Sequence, residues 1–162
     1  MASHTAVVAI LVSNPALSAL LVATLASSPT LRIRPFVSQL ALSTYMRLAP
    51  VDLVVCDFDG DTPADRLTRD LRADLAIEHT AFRVIALASR IDAAIKTASL
   101  QAGIDEIDVK PMSPRYLLER VLSRLSRRAA PSAPLRRPTP LQWPANVIPL
   151  FGQAPQPQSP TT

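Results

Sequence analysis

Short apolar runs alternate with helix-type segments along most of this chain, and this alternation limits its possible folds more than any other feature. The apolar runs cover residues 6–12, 31–36, 53–56, 82–88 and 104–109. Runs 6–12 and 53–56 are apolar throughout, which is typical of parallel strands buried on both faces. Run 31–36 alternates apolar residues with Arg32 and Arg34, the pattern of a half-exposed edge strand.

The segments between these runs carry helix signals. Asn14 and Pro15 predict a helix start, because asparagine caps a helix and proline suits its first position. Gly103 suits the left-handed turn at a helix end. Helices are predicted over residues 15–27, 38–48, 63–75, 91–102 and 114–128. In the last of these, the inward positions are predicted to be Leu117, Leu118, Val121, Leu122 and Leu125.

Five strands alternating with five helices predict a parallel sheet with helices on both faces, since each crossover must be right-handed and covered. The predicted class is α/β. The expected architecture is a flavodoxin-like, doubly wound, five-stranded parallel sheet in the order 2-1-3-4-5, with five helices and a C-terminal extension.

The composition changes near residue 129. Nine of the 16 prolines lie after residue 130, where the periodic apolar pattern also stops. We therefore predict a domain over residues 1–128 and a proline-rich tail or arm over 129–162. The tail carries Trp143, Ile148 and Phe151, and exposure of such side chains is unfavourable unless something covers them.

Two interpretations of the tail stay open. It is either a loose segment with incidental apolar residues, or an arm anchored through those three side chains on its own domain, on a second copy or on another protein. A homodimer formed through the last helix and this arm would fit the second interpretation.

Charge and cysteine content exclude several classes. The formal charge of +4 is concentrated in residues 115–137, where Tyr116 is the single aromatic residue that could stack on a base, so no nucleic-acid partner is expected. The apolar stretch 6–26 is interrupted by Ser13-Asn14-Pro15, which argues against a membrane span. Cys56 is the single cysteine and lies in an apolar strand, which predicts a buried thiol and favours a cytoplasmic location.

Three carboxylates follow the third predicted strand at alternate positions: Asp57, Asp59 and Asp61. In parallel α/β sheets, chemistry gathers at the carboxyl ends of the strands. This edge is therefore the candidate site.

Three segments resemble the receiver domain of bacterial two-component response regulators: VDLVVCDFDG (51–60), FRVIALASR (82–90) and AGIDEIDVKPMSPRYLLERV (102–121). The resemblance extends over residues 6–128. It implies that Asp57 accepts a phosphoryl group from a histidine kinase or phosphotransfer protein, and that Lys110 contacts this group. A nearby ammonium would offset the negative charge of both reactants.

The chain departs from the family pattern after its first strand. The paired acidic residues that hold Mg²⁺ in the family correspond here to Ser13 and Asn14. Because Mg²⁺ is usually held through one or two carboxylates, the resemblance then implies at most a weak metal site, with Asp57, Asp59 and Asn14 as the remaining ligands.

A second departure concerns signal transmission. Ala88 stands where the family has a hydroxyl that contacts the phosphoryl group, and Ser89 is the candidate substitute. Ile107 replaces the usual aromatic residue of the fifth strand. We therefore interpret the chain as a stand-alone atypical receiver, an interaction module rather than an enzyme, and leave open whether Asp57 is phosphorylated.

A haloacid-dehalogenase-like phosphatase is the alternative. The segment VVCDFDGDT resembles the first motif of that family, in which Asp57 would be the nucleophile and Asp59 the acid/base. Against this, Asp61 stands where the family has threonine or valine, and the motif would be expected on the first strand.

Overall fold

A computed structural model describes residues 5–129 of the chain. Five strands alternate with five helices. The strands are β1 (Ala6–Leu11), β2 (Leu31–Pro35), β3 (Leu53–Asp57), β4 (Arg83–Ala88) and β5 (Glu106–Val109). The helices are α1 (Pro15–Leu25), α2 (Gln39–Leu48), α3 (Ala64–Ala73), α4 (Ala93–Ala102) and α5 (Pro114–Ala129).

The strands form one parallel sheet in the order β2-β1-β3-β4-β5, which confirms the predicted class and strand order. At the centre, Val54 of β3 lies opposite Ala9 on one side and Val84 on the other. Every residue of β3 is buried. The continuous apolar runs therefore mark the central strands, and the alternating run marks the edge strand β2.

Side chains alternate between the two faces of the sheet, and each face has its own core. One core joins the sheet to α2 and α3, with Met46 and Leu67 among its buried members. The other joins it to α1 and α5 through residues such as Leu21 and Leu117. Each fully buried leucine stabilises the fold by about 2 kcal/mol. The helices thus hold the carboxyl ends of the strands in fixed positions.

Local signals set the helix ends as the sequence predicts. The Asn14 side chain accepts hydrogen bonds from the amides of Ala16 at 2.9 Å and Leu17 at 3.2 Å, which caps α1. Gly103 ends α4 with φ +76°, and a Cβ there would lie 3.1 Å from Arg72 Nη1. Glycine is the residue that this conformation and this close contact favour.

Several sequence predictions are corrected, and two of them are helix ends: α1 and α3 each stop two residues earlier than predicted, at Leu25 and Ala73. The α4 helix begins two residues later than expected, because Asp92 caps it through the Ile95 amide. The β5 strand begins at Glu106 instead of residue 104, because the Ile104 amide donates a hydrogen bond to the Ser99 carbonyl at the end of α4. Leu122 is exposed rather than inward, since α5 reaches full burial only along a narrower stripe at Leu117 and Val121.

No helix in residues 5–129 is long and apolar enough to cross a membrane. The predicted anchors Trp143, Ile148 and Phe151 lie outside the described residues.

Candidate functional site

The carboxyl ends of β3, β4 and β5 meet at one edge of the sheet. Backbone pairing continues just beyond the strands, where the Phe58 amide donates to the Leu87 carbonyl at 2.8 Å and the Lys110 amide donates to the Ala88 carbonyl at 2.8 Å. This pairing fixes the start of each following loop. Asp57, Ser89 and Lys110 are thereby brought to the same edge.

Lys110 bridges the two carboxylates that follow the apolar part of β3. Its Nζ lies 2.8 Å from Asp57 Oδ1 and 2.8 Å from Asp59 Oδ2. The Asp57 side chain is only 5% exposed, whereas that of Asp59 is 40% exposed. A lysine ammonium is a compact charge with three donors, so one cation can serve both carboxylates.

Asp59 also receives two hydrogen bonds from one residue of the loop after β4. Its Oδ2 accepts from the Ser89 amide at 2.8 Å and from the Ser89 hydroxyl at 2.6 Å. The Asp59 amide in turn donates to Asp57 Oδ1 at 3.0 Å. The loops after β3, β4 and β5 are therefore joined through Asp59.

The pKa values of this network follow from these contacts. The hydrogen bonds from Lys110 and then from Ser89 lower the pKa of Asp59. Burial alone would lower the pKa of Lys110, but its hydrogen bonds to Asp57 and Asp59 outweigh burial and raise it. The network is thus set for an ionised Asp59 beside a protonated Lys110 at neutral pH.

The structure brings Asp57 and Lys110 together as the sequence predicts, while their roles remain predictions. Ser89 lies at the same edge but contacts Asp59. Ala88 is fully buried. Cys56 is 1% exposed, and burial first, then the neighbouring Asp57 charge, raises the pKa of its thiol, as expected of a packed strand residue.

The side-chain oxygens of the predicted Mg²⁺ ligands are engaged by donors of the protein itself. The Asn14 side-chain oxygen caps α1, and the Asp59 carboxylate is turned to Ser89 and Lys110. Asp57, the remaining carboxylate of the predicted set, is itself paired with Lys110. This donor set does not fit a well-formed octahedral magnesium site.

Ser13 has a packing role in the same region. A Cβ at position 60 would lie 2.2 Å from Ser13 Oγ, so any larger residue there requires the Ser13 hydroxyl to rotate away. Gly60 therefore allows this loop to pass directly over the end of β1.

A groove of about 830 Å³ lies beside Asp57. Its walls are α1, the loop from β2 to α2 and the loop from β3 to α3. Small and apolar side chains of α1, such as Ala19 and Val22, form much of one wall. The site is thus open to a binding partner from the α1 side.

A second charged cluster, which the sequence reasoning missed, lies between β5 and α5. Arg120 and Arg124 both bind the Glu106 carboxylate, the second through Nε at 2.5 Å from Oε2. Asp108, two residues along β5, is 7% exposed, and among the described residues its Oδ2 is the one buried side-chain oxygen without a hydrogen-bond partner. The alternation Glu106-Ile107-Asp108 could have shown that both acids share one face of the strand.

The chain matches no protein-family model and no curated protein sequence. It does match solved structures of receiver domains. A response regulator of Thermotoga maritima is 24% identical with a TM-score of 0.64, over 75% of this chain and 98% of that one. The chemotaxis protein CheY4 of Vibrio cholerae is 16% identical with a TM-score of 0.67, over 75% and 99% of the two chains.

A third match is a CheY-like response regulator receiver domain protein of Methanospirillum hungatei, 17% identical with a TM-score of 0.67, over 76% of this chain and 96% of that one. Residues 5–129 therefore form an α/β domain of the doubly wound class with a charged site at the strand ends. More specifically, the chain has the fold of response regulator receiver domains, which confirms the resemblance at the level of fold.

Proposed function

We propose that this protein is an atypical receiver that acts as an interaction module in two-component signalling, with Asp57 as its phosphoacceptor. The observation that carries the proposal is the 2.8 Å contact between Lys110 Nζ and Asp57 Oδ1, at the edge where β3 and β5 end. The phosphodonor would be a histidine kinase or a phosphotransfer protein, and the protein would work in the cytoplasm.

The proposed reaction transfers a phosphoryl group from a phosphohistidine of the donor to the Asp57 carboxylate. An oxygen of Asp57 attacks the phosphorus of a phosphohistidine, the P–N bond breaks, and its electron pair returns to the imidazole. The product is an acyl phosphate on Asp57. Lys110 offsets the charge that the approaching phosphoryl group adds, which is the main electrostatic obstacle to this transfer.

Transmission of the signal would differ from the usual receiver. Ala88 offers no hydroxyl to a phosphoryl group, and Ser89 is engaged by Asp59. Ile107 replaces the aromatic side chain of the usual switch. The output would therefore pass through contacts of the domain surface rather than through a hydroxyl and aromatic pair. Homodimerisation through α5 and residues 130–162 stays a prediction.

The phosphatase alternative is disfavoured by the same geometry. A general acid needs a pKa near the working pH, whereas Lys110 and Ser89 lower the pKa of Asp59. Asp57 also ends the third strand rather than the first. We therefore propose that the protein is a phosphoacceptor and not an enzyme.

Intact-mass spectrometry after incubation with acetyl phosphate, with and without Mg²⁺, tests the proposal. The wild type is expected to gain one phosphoryl group, Asp57→Asn none, and the matched control Asp61→Asn as much as the wild type. A wild type that gains nothing with any small phosphodonor contradicts the phosphoacceptor role. A gain that persists in Asp57→Asn assigns the acceptor elsewhere.

A further inference from the structure

Three donors converge on a single oxygen of Asp59. The amide and the hydroxyl of Ser89 lie at 2.8 and 2.6 Å from Oδ2, and Lys110 Nζ lies at 2.8 Å. An isolated ion pair on a protein surface contributes little. This oxygen differs because a charged donor, a hydroxyl and a backbone amide all serve it at once, and such charge-assisted hydrogen bonds are short and comparatively strong.

The same lysine also holds the proposed phosphoacceptor. Lys110 Nζ is 2.8 Å from Asp57 Oδ1 and 2.8 Å from Asp59 Oδ2, so the same ammonium contacts both the Asp59 carboxylate and the acceptor oxygen. A phosphoryl group on Asp57 would be a second anion at this edge. The Asp59 carboxylate already binds Lys110, which also contacts Asp57, and both donors of Ser89 at the same edge.

We infer that the Asp59 carboxylate is an internal substitute for a phosphoryl group: it occupies Ser89 and Lys110 in the unmodified protein and must release them before a phosphoryl group on Asp57 can bind there. Asp59 is then a positioning residue with two effects. It holds the loop after β4 against the loop after β3 without phosphorylation, and it competes with the phosphoryl group. The competition rests on the proposed phosphoacceptor function, whereas the loop contact does not.

The electrostatics agree with this assignment. Lys110 Nζ lies 2.8 Å from Asp59 Oδ2, so the position that a phosphoryl oxygen would take beside this ammonium is filled by a carboxylate oxygen. The distance along the chain also suits the role. Asp59 follows Asp57 by two residues, and the Asp59 amide donates to Asp57 Oδ1 at 3.0 Å, so the two residues are joined by a direct hydrogen bond as well as through Lys110.

Hydrogen exchange of the Ser89 amide tests the loop contact directly, because that N–H is itself a donor to Asp59. In Asp59→Ala, the exchange rate of this amide is expected to rise by about tenfold or more, since local opening then needs no charged hydrogen bond to break. The matched control is Asp61→Ala, which removes an equal charge two residues away and should leave the rate unchanged. An unchanged rate in Asp59→Ala, or an equal rise in Asp61→Ala, overturns the inference.

The competition has a separate readout. The initial rate of phosphorylation of Asp57 by acetyl phosphate is expected to be about fivefold higher in Asp59→Ala than in Asp61→Ala, because Lys110 and Ser89 become available to the incoming group. The phosphoryl group should then restore slow exchange at Ser89 in Asp59→Ala. Equal rates in the two variants overturn the competition.

The two failures can be told apart. If no variant takes up a phosphoryl group, the proposed function is contradicted, and the Ser89 exchange rate alone decides whether Asp59 holds the loop. If all variants are phosphorylated equally and Ser89 exchange does not respond to Asp59→Ala, the proposed function stands and the Asp59 inference falls.

Discussion

Two pairs of acids in this protein have the same spacing and opposite surroundings. Asp57 and Asp59 follow one another at the end of β3 and share the single cation Lys110. Glu106 and Asp108 have the same spacing on β5 and face two arginines of α5. Both arginines bind Glu106, and the Asp108 Oδ2 atom has no hydrogen-bond partner in the described part of the chain.

The difference shows that the pKa of each carboxyl depends on whether a cation contacts it, and not on how many acids lie nearby. Burial would raise the pKa of Glu106, but hydrogen bonds from Arg120 and Arg124 outweigh burial and lower it. Burial and then the charge of Glu106 raise the pKa of Asp108. The β3 pair forms a hydrogen-bonded network in which Asp57 is buried and Asp59 is exposed, whereas the β5 pair combines a structural contact at Glu106 with a buried acid whose Oδ2 has no hydrogen-bond partner among the described residues.

Replacing Glu106 should have the largest effect on stability. Glu106→Ala removes an 8% exposed carboxylate and leaves Arg120 and Arg124 without the partner that both of them bind. Because both arginines keep some contact with solvent, we expect a loss of about 2–3 kcal/mol, below the cost of breaking a fully buried pair. Urea unfolding followed by circular dichroism measures it.

Glu119→Ala is the control for that experiment. Glu119 also faces an arginine of α5, but its side chain is 66% exposed and lies 3.8 Å from Arg115 Nε. Its loss should change stability by less than about 0.5 kcal/mol. Equal losses in the two variants would mean that the β5 contact is no stronger than an ordinary surface pair.

Replacing Asp108 should change the free energy of unfolding in the opposite direction, towards higher stability. Asp108→Val removes a buried carboxyl without a full set of partners and should stabilise the fold by about 1–2 kcal/mol at pH 7. Since the pKa of Asp108 is raised, the folded state binds its proton more tightly, and the wild type loses stability as pH rises from the unfolded pKa towards the folded one. The gain should therefore shrink below about pH 4.

Asp105→Asn is the control for that experiment, because it changes an acid that does have hydrogen-bond partners and should therefore lower stability. Asp105 accepts from Arg83 at 2.9 Å and from the Val84 amide at 2.8 Å, so its replacement should destabilise the fold by about 1 kcal/mol. A loss of stability in Asp108→Val at neutral pH would show that Asp108 has partners that the geometry does not reveal.

The smallest predicted effect concerns the titration of Asp59. Lys110→Met should raise the pKa of Asp59, because the largest cause of its lowering is removed. NMR titration of the carboxyl carbon measures the change, with Lys96→Met on α4 as the control. Because the folded pKa is lowered, the Asp59 contribution to stability is present above the unfolded pKa and is lost as pH falls through the folded one. An unchanged Asp59 pKa in Lys110→Met would contradict the shared-cation network.

The sequence predicted the part of this molecule that depends on periodicity and strand order. Continuous apolar runs identified β1 and β3 and placed Asp57 at the carboxyl edge of the sheet, and the resemblance to receiver domains added Lys110. Asn14 was recognised as a helix cap, and the cap engages the oxygen that would otherwise be available to a metal.

The remaining features depend on how loops and helices dock. The link from Asp59 to Ser89 joins two loops 30 residues apart, and no local pattern encodes their approach. The contacts of Glu106 depend on the angle at which α5 packs on β5. Leu122 was expected inward because leucine recurs at helical spacing, yet only part of that stripe is fully buried.

Chemical mapping of the phosphorylated residue tests the central claim most directly. After incubation with acetyl phosphate, borohydride reduces an aspartyl phosphate to homoserine, and peptide mass spectrometry locates the product. We predict homoserine at position 57 alone, and none in Asp57→Asn. Homoserine at position 59 or 61, or none anywhere in a wild type kept folded throughout, would contradict the assignment of Asp57 as the phosphoacceptor.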